Sequence, residues 1–245
     1  MLTAFRADVH VHTCLSPCGD LLMSPKKIIA RALEQNIDII AITDHNSAEN
    51  ASAAVSVAAG SPITVLPGME VCTSEEIHVL ALFENLRSAL EFQRLVYDHL
   101  PGENNPEVFG EQIIADENDE VRGYQQKLLI GATDLPLATV VDGIHRLDGV
   151  AIASHIDRES YSIVGQLGFI PGDVRFEALE LSVNITNSDA EKRFTTYSGY
   201  TFIRNSDAHF LEDIGKNTST FYLEKPTFGE LRKALGNQQG RSLTR

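Results

Sequence analysis

No apolar run in this chain reaches the roughly 18 residues a helix needs to cross a bilayer, so no membrane partner is expected. Its first residues lack a basic stretch followed by an apolar core and a cleavage site, and no signal peptide is expected. Cysteine is scarce, with Cys14, Cys18 and Cys72 only. An odd, low count argues against a disulfide framework. Cys14 and Cys18 stand at C-x₃-C spacing without a second thiol pair, which does not make a structural zinc site. A reducing, cytoplasmic compartment is the expectation. Basic residues are also few, 20 Lys and Arg against 34 Asp and Glu, for a net charge of −14. Such a surface repels polyanions, so a groove for duplex nucleic acid is not expected. Carboxylates that bind metal belong to the same sum, and a small phosphorylated substrate stays compatible with it.

What is present is a chain of 245 residues, 43% hydrophobic and 22% charged, which rules out a disordered polymer. Phe5 to Val11 alternates like a strand. Ser24 and Pro25 open a helix as N-cap and first helical residue. Ile37 to Ile42 is a short apolar run suited to a strand buried on both faces. Strand and helix then alternate to residue 99. They resume with a helix over Leu137 to Leu147, strands over 150–154, 178–183 and 201–205, and a helix over 228–235. Repeated βα units imply an α/β fold with a parallel sheet. Residues 100–135 break the rhythm, with a turn at Asn104-Asn105-Pro106 and a hairpin from Gln112 to Tyr124. This stretch reads as an inserted excursion, expected to act as a lid, within one domain spanning residues 1–245.

The chemistry-bearing residues gather at predicted strand ends. His10 and His12 are separated by one residue, so on a strand both imidazoles face the same way and can reach one metal. Asp44 and His45 follow the strand ending at Ile42, and are read either as a turn with an Asx hydrogen bond or as a ligand with its orienting carboxylate. Glu70 follows Pro67-Gly68, His78 opens the next strand, and His155 ends the strand over 150–154. Asp207 and His209 close the strand over 201–205, again one residue apart. Imidazole and carboxylate donors without thiolate suit Mn²⁺, Fe²⁺, Zn²⁺ or Mg²⁺. His99 and His145 fall in or at the end of helices and read as surface residues. Arg158, three residues after His155, could clamp a phosphate oxygen or pair with Asp157 or Glu159. Lys127 and Lys216 are weaker candidates for that role.

The motifs DVHVHT (8–13), AITDHN (41–46), PGMEV (67–71), EIHVLAL (76–82), ASHIDR (153–158) and NSDAH (205–209) occur in the order found in the polymerase and histidinol phosphatase (PHP) superfamily, which the chain resembles. The resemblance implies a distorted (β/α)₇ barrel with two or three divalent metal ions at the C-terminal strand ends. It implies that His10, His12, Glu70 and Asp207 hold one ion, that Glu70 bridges to a second held with His78 and His155, and that Asp20, His45 and His209 hold a third. Asp20 lies in CLSPCGD, which is longer than the corresponding segment of family members. Ions about 3.5–4 Å apart can bind both the attacking and departing oxygens of a phosphoryl transfer, with a metal-activated hydroxide as nucleophile. Asp44 and His209 are the catalytic candidates, and Arg158 and Lys127 the substrate-binding ones. The expected activity is a metal-dependent phosphoesterase acting on a small phosphomonoester or nucleotide-like phosphate. A metal-dependent amidohydrolase and a non-catalytic metal- or nucleotide-binding domain are the alternatives.

Overall fold

The computed structural model describes residues 1–244. In chain order it contains β1 (Thr3–Val11), α1 (Pro25–Glu34), β2 (Ile39–Ile42), α2 (Ala51–Val57), β3 (Thr64–Cys72), β4 (His78–Leu82) and α3 (Leu86–Asp98). Then come α4 (Pro106–Phe109), β5 (Ile113–Ala115), β6 (Val121–Tyr124), α5 (Leu137–Arg146), β7 (Val150–Ala153), α6 (Ile163–Leu167) and β8 (Ala178–Leu181). The last are α7 (Asn187–Arg193), β9 (Phe202–Arg204), β10 (Ser219–Leu223), α8 (Phe228–Leu235) and β11 (Ser242–Leu243). Local chemistry sets the helix starts. Ser24 caps α1 by accepting from the Lys27 amide with Pro25 at the first position, Asn85 caps α3 through Ser88, and Thr227 caps α8 through Glu230.

Nine strands form one sheet in the order β11-β10-β1-β2-β3-β4-β7-β8-β9. β1, β2 and β3 run parallel, as do β7, β8 and β9. The wholly parallel sheet expected from the βα rhythm is corrected at β4, which is antiparallel to both neighbours. The link from Cys72 to His78 is too short for a helical crossover and closes as a turn, with the Thr73 amide donating to the Ile77 carbonyl and Glu76 at φ 58°. The sheet curls until the segment after β9 meets β1, where Val11 bridges Ala208 and the Val9 amide donates to Asn205 Oδ1.

Alternate residues of the strands feed two apolar clusters. One contains Ala7, Val9, Ile39, Ala41, Leu66, Leu80, Ile152 and Ile203. The other, on the helix-covered face, contains Ile40, Ile42, Val79, Ala81, Ala151 and Ala153 with Phe92 and Ile144. Residues 100–135 carry the expected hairpin, β5 paired with β6 as a separate two-stranded sheet. It is docked on the loop after β1: the Ile113 amide donates to the Cys14 carbonyl, and Asn50 bonds both Ile113 and Ala115. No helix among the described residues is long and apolar enough to cross a membrane.

Candidate metal centre

A bulge in β1 aims the first two histidines. Ala7 pairs with Ile39 and Val11 with Ile42, so five residues of β1 stand against four of β2. The register shift carries Val11 onto the helix-covered face with Ile42, which turns its neighbours His10 and His12 inward. Both are fully buried. The reversed direction of β4 has a matching effect. Its first residue, His78, lies where the parallel strands end, opposite Cys72 and two residues beyond the Glu70–Leu80 pair.

Glu70 is the hub. Its Oε1 lies 3.3 Å from His10 Nε2, 3.1 Å from His78 Nδ1 and 3.3 Å from His155 Nε2. Its Oε2 lies 3.5 Å from His12 Nε2 and 3.2 Å from His45 Nδ1. Asp207 closes the other side, with Oδ1 3.2 Å from His10 Nε2, 3.3 Å from His12 Nε2 and 3.7 Å from His209 Nδ1. Three sets of donors converge closely enough to hold cations: His12, His45 and His209; His10, His12 and Glu70; His45, Glu70 and His78.

The outer nitrogens fix the tautomers. His10 Nδ1 donates to Glu180, lying 3.0 Å from each carboxylate oxygen. Ser16 gives its only hydroxyl proton to Asp44 Oδ1 at 2.7 Å, so His12 Nδ1 donates to Ser16 Oγ at 3.0 Å. His10 and His12 therefore present bare Nε2 atoms to each other at 3.2 Å, beside carboxylate oxygens of Glu70 and Asp207. Lone pairs this close and this deeply buried call for a cation between them. Glu70 Oε1, His78 Nδ1 and His155 Nδ1 are buried without a hydrogen-bond partner among the described residues, which fits the same requirement.

The electrostatics agree. Burial opposes charge on Glu70, yet His78 and His10 hold its carboxyl well below the usual range. Asp207 behaves alike, with His10 and a bond from His12 prevailing over burial. Burial disfavours charge on His10 too, but Glu180, Asp207 and Glu70 lift it well above the ordinary imidazole value. The field that attracts a proton there would attract a divalent ion. Burial and repulsion from His209 push His12 down to about 4.

Against this geometry, a model of the PHP domain matches residues 8–164. The chain belongs to the PHP domain family. It is thereby a metal-dependent hydrolase by family, and its curled mixed sheet is the distorted PHP-type barrel that the motifs imply. The 5′-3′ exoribonuclease Rnm of Escherichia coli is 27% identical over 150 residues, covering 50% of this chain and 47% of that protein. Rnm of Salmonella typhimurium is 34% identical over 84 residues, covering 31% of this chain and 26% of that one. The matched part is thus less than half the length of these relatives. Among solved structures, the lesion-specific endonuclease Q of Pyrococcus furiosus has a TM-score of 0.77 at 18% identity, over 98% of this chain and 58% of the other. An endonuclease Q complex with a 27-mer duplex, an abasic lesion at its active site, gives 0.75 at 18% identity over the same shares.

The last comparison corrects the partner expectation of a small phosphorylated substrate and no duplex nucleic acid. Endonuclease Q, which shares this fold, holds a duplex. Net charge summed over a chain does not report the potential where a strand lies, because ligand carboxylates count as negative while their metals go uncounted.

Within the PHP centre three expected residues fall elsewhere. Asp20 joins none of the three donor groups. Its Oδ1 accepts from the Leu22 amide at 2.8 Å, so the carboxylate caps its own turn. Asp44, expected among the catalytic groups, is fully buried beneath the cluster and accepts from Thr13 N, Thr13 Oγ1 and Ser16 Oγ. Lys127 lines neither cavity beside the centre; its Nζ donates to the Leu100 carbonyl and lies over the Tyr97 ring. Arg158 does stand at the site, but pairs with Asp207 at 2.6 Å and not with Asp157 or Glu159. It lines two cavities of about 500 and 430 Å³, the second containing Lys216. No residue of the 100–135 segment lines either of these two cavities, and its hairpin docks on the loop after β1 through the Ile113 amide and the Cys14 carbonyl.

Glu180 was not singled out by sequence reasoning. The signal was there: a lone carboxylate in the middle of the apolar strand Ala178–Leu181. Backbone strain also collects here. Asn46, His155, Tyr161 and Asp207 all have positive φ, at 52°, 27°, 57° and 51°.

Proposed function

We propose that this chain hydrolyses a phosphodiester at or near the 5′ end of a nucleic-acid strand. The observation that carries the proposal is Glu70 facing five imidazoles while Asp207 closes the set. His10, His12, Glu70 and Asp207 would hold one divalent ion, Glu70 with His78 and His155 a second, and His45 with His209 the edge of a third. Ions so held act as Lewis acids on phosphate oxygens and make water more acidic.

The remaining work falls to the chain's own side chains. Glu180 and Ser16 hold His10 and His12 in the tautomers that leave Nε2 bare. Arg158 sits between the two cavities, where its guanidinium binds a non-bridging phosphate oxygen. Lys216, in the second cavity, faces the continuing strand. His209 has 24% of its side chain exposed, the most open histidine of the centre, and its Nδ1 donates to the Asp207 carbonyl, which leaves Nε2 as the atom that would reach the third ion. The Rnm relatives support the strand polarity and the endonuclease Q complex supports access for a strand held in a duplex.

The test is hydrolysis of 5′-phosphorylated RNA and DNA oligonucleotides, single-stranded and duplex, by metal-stripped protein with and without Mn²⁺. Metal-dependent release of nucleotides or short fragments from the 5′ side is expected. Stoichiometric metal uptake with every strand left intact would overturn the nucleic-acid reading.

A further inference from the structure

Tyr161 lies in the loop after β7, outside every donor group of the metal centre. Its ring stacks on the imidazole of His78, with centroids 4.7 Å apart and planes 25° from parallel. Its carbonyl accepts from the His78 amide at 3.0 Å. The backbone is left-handed at φ 57°, unfavourable for a bulky residue, and persists only where surroundings impose it. Yet the residue is 44% exposed and borders the cavity of about 500 Å³ that it shares with His155, Arg158 and Asn184. One face of the phenol ring is thus covered by a metal-site histidine, while the residue itself lines that cavity. The Asn184 side chain makes no hydrogen bond among the described residues, leaving its amide available at the same wall.

We infer that Tyr161 is the stacking platform of a nucleobase site, holding the base of the nucleotide whose phosphate lies at the metal centre. The cavity falls in the size range of small-ligand sites. An aromatic face beside a polar amide is the chemistry that holds a base without demanding its identity. Arg158, shared by both cavities, places the phosphate between the base in this cavity and the onward strand in the other. The inference rests on the proposed action at nucleic-acid strands.

Two readouts test it. The first is fluorescence of 5′-phosphorylated oligonucleotides carrying 2-aminopurine at the first or second position, titrated with protein loaded with diamagnetic Zn²⁺ or Mg²⁺. The second is the ratio of kcat/KM for a strand with a normal terminal nucleotide to that for one with an abasic terminal nucleotide, in Mn²⁺. Quenching at one position is expected for the native protein and Tyr161→Phe, and its loss in Tyr161→Leu. The native ratio should be about tenfold or more, collapsing towards one in Tyr161→Leu and recovering in Tyr161→Phe. No quenching by the native protein at either position overturns the inference, even if strands are cut. So does a Tyr161→Leu protein that slows both substrates equally, which would leave Tyr161 as a support for His78. Quenching without hydrolysis would keep the base site and sink the proposed reaction.

Discussion

His10 Nδ1 is equidistant from the two carboxylate oxygens of Glu180, 3.0 Å from each, at a point where neither side chain meets solvent. Glu180 also accepts from the His155 amide and from Asn205 Nδ2. One carboxylate thus sets the ring of one histidine, the backbone of another and the strand end between them. Glu180→Gln should lower metal affinity roughly 10- to 100-fold, the usual cost of removing such a partner. Calorimetric titration of metal into the apo-protein measures it directly. Unchanged affinity would show that His10 needs no orienting group.

Asp44 lies on a parallel chain of bonds that ends at His12 through Ser16. Burial pushes its carboxyl up, while bonds from Ser16 and Thr13 partly offset the effect. Asp44→Ala strands three buried donors and should lower stability by about 3 kcal/mol in urea unfolding. Asp44→Asn keeps one acceptor oxygen and should cost less. If Asp44→Asn bound metal normally but lost turnover, Asp44 would belong with the reacting groups after all.

Part of the candidate ligand set was legible from short-range parity, since the two-residue repeat of a strand puts His10 and His12 on one face. The rest is implied by the order of the six motifs along the chain, which no local spacing contains. The bulge between Asp8 and Val11 was not legible, since an extra residue shows only in pairing with a neighbouring strand. The reversal at β4 could have been read from the five residues between Cys72 and His78, which no helix can span. Asp20, implied by the family resemblance alone, sits in the longer segment CLSPCGD, where its carboxylate accepts from the Leu22 amide in an Asx turn. Lys127 misled in another way: a lone cation in sequence does not announce the aromatic ring that captures it.

Arg158 reaches Asp207 Oδ2, the oxygen that faces away from His10 and His12. A phosphate entering there competes for the guanidinium, which can bind two oxygens at once where a lysine offers a point charge. Arg158→Lys should raise KM for an oligonucleotide about tenfold while metal content, measured by elemental analysis, stays as in the native protein. Loss of metal with an unchanged KM would make Arg158 a support for Asp207.

Far from the centre, Glu230 takes bonds from Arg241, Lys233 and the Glu224 amide, which tie α8 to the C-terminal segment. Arg241, then Lys233, hold its carboxyl down to about 2, against an ordinary value of 4.5. A carboxyl depressed on folding adds stability that is fully present above its unfolded value and fades as pH falls towards the folded one. The gap in urea midpoint between the native protein and Glu230→Gln should therefore be widest above pH about 5 and narrow steadily towards pH 2. A gap that does not vary with pH would mean that Glu230 acts through packing alone.

The metal centre itself should govern thermal stability. Glu70 and Asp207 are carboxylates held ionised in a largely buried setting; Arg158 pairs with Asp207 from one side, and the positive charge facing Glu70 is what the histidines can carry. His12 is pushed down to about 4 and His45 well below its usual value, so neither supplies that charge at neutral pH. A divalent ion binds the folded arrangement and not the unfolded chain, because the ligands span His10 to His209 and converge only on folding. Free metal at about 100 times its dissociation constant adds about 2.7 kcal/mol. For a chain of this size that is a rise of roughly 5–10 °C in Tm. Mn²⁺, Zn²⁺ and Mg²⁺ added singly to EDTA-treated protein should each be ranked by the shift they produce in calorimetric scans. Glu70→Gln, which keeps the shape but removes the shared charge, should lose most of the shift for the best ion. If no ion moves Tm in the native protein, the convergence of histidines on Glu70 is a buried polar network and not a metal site.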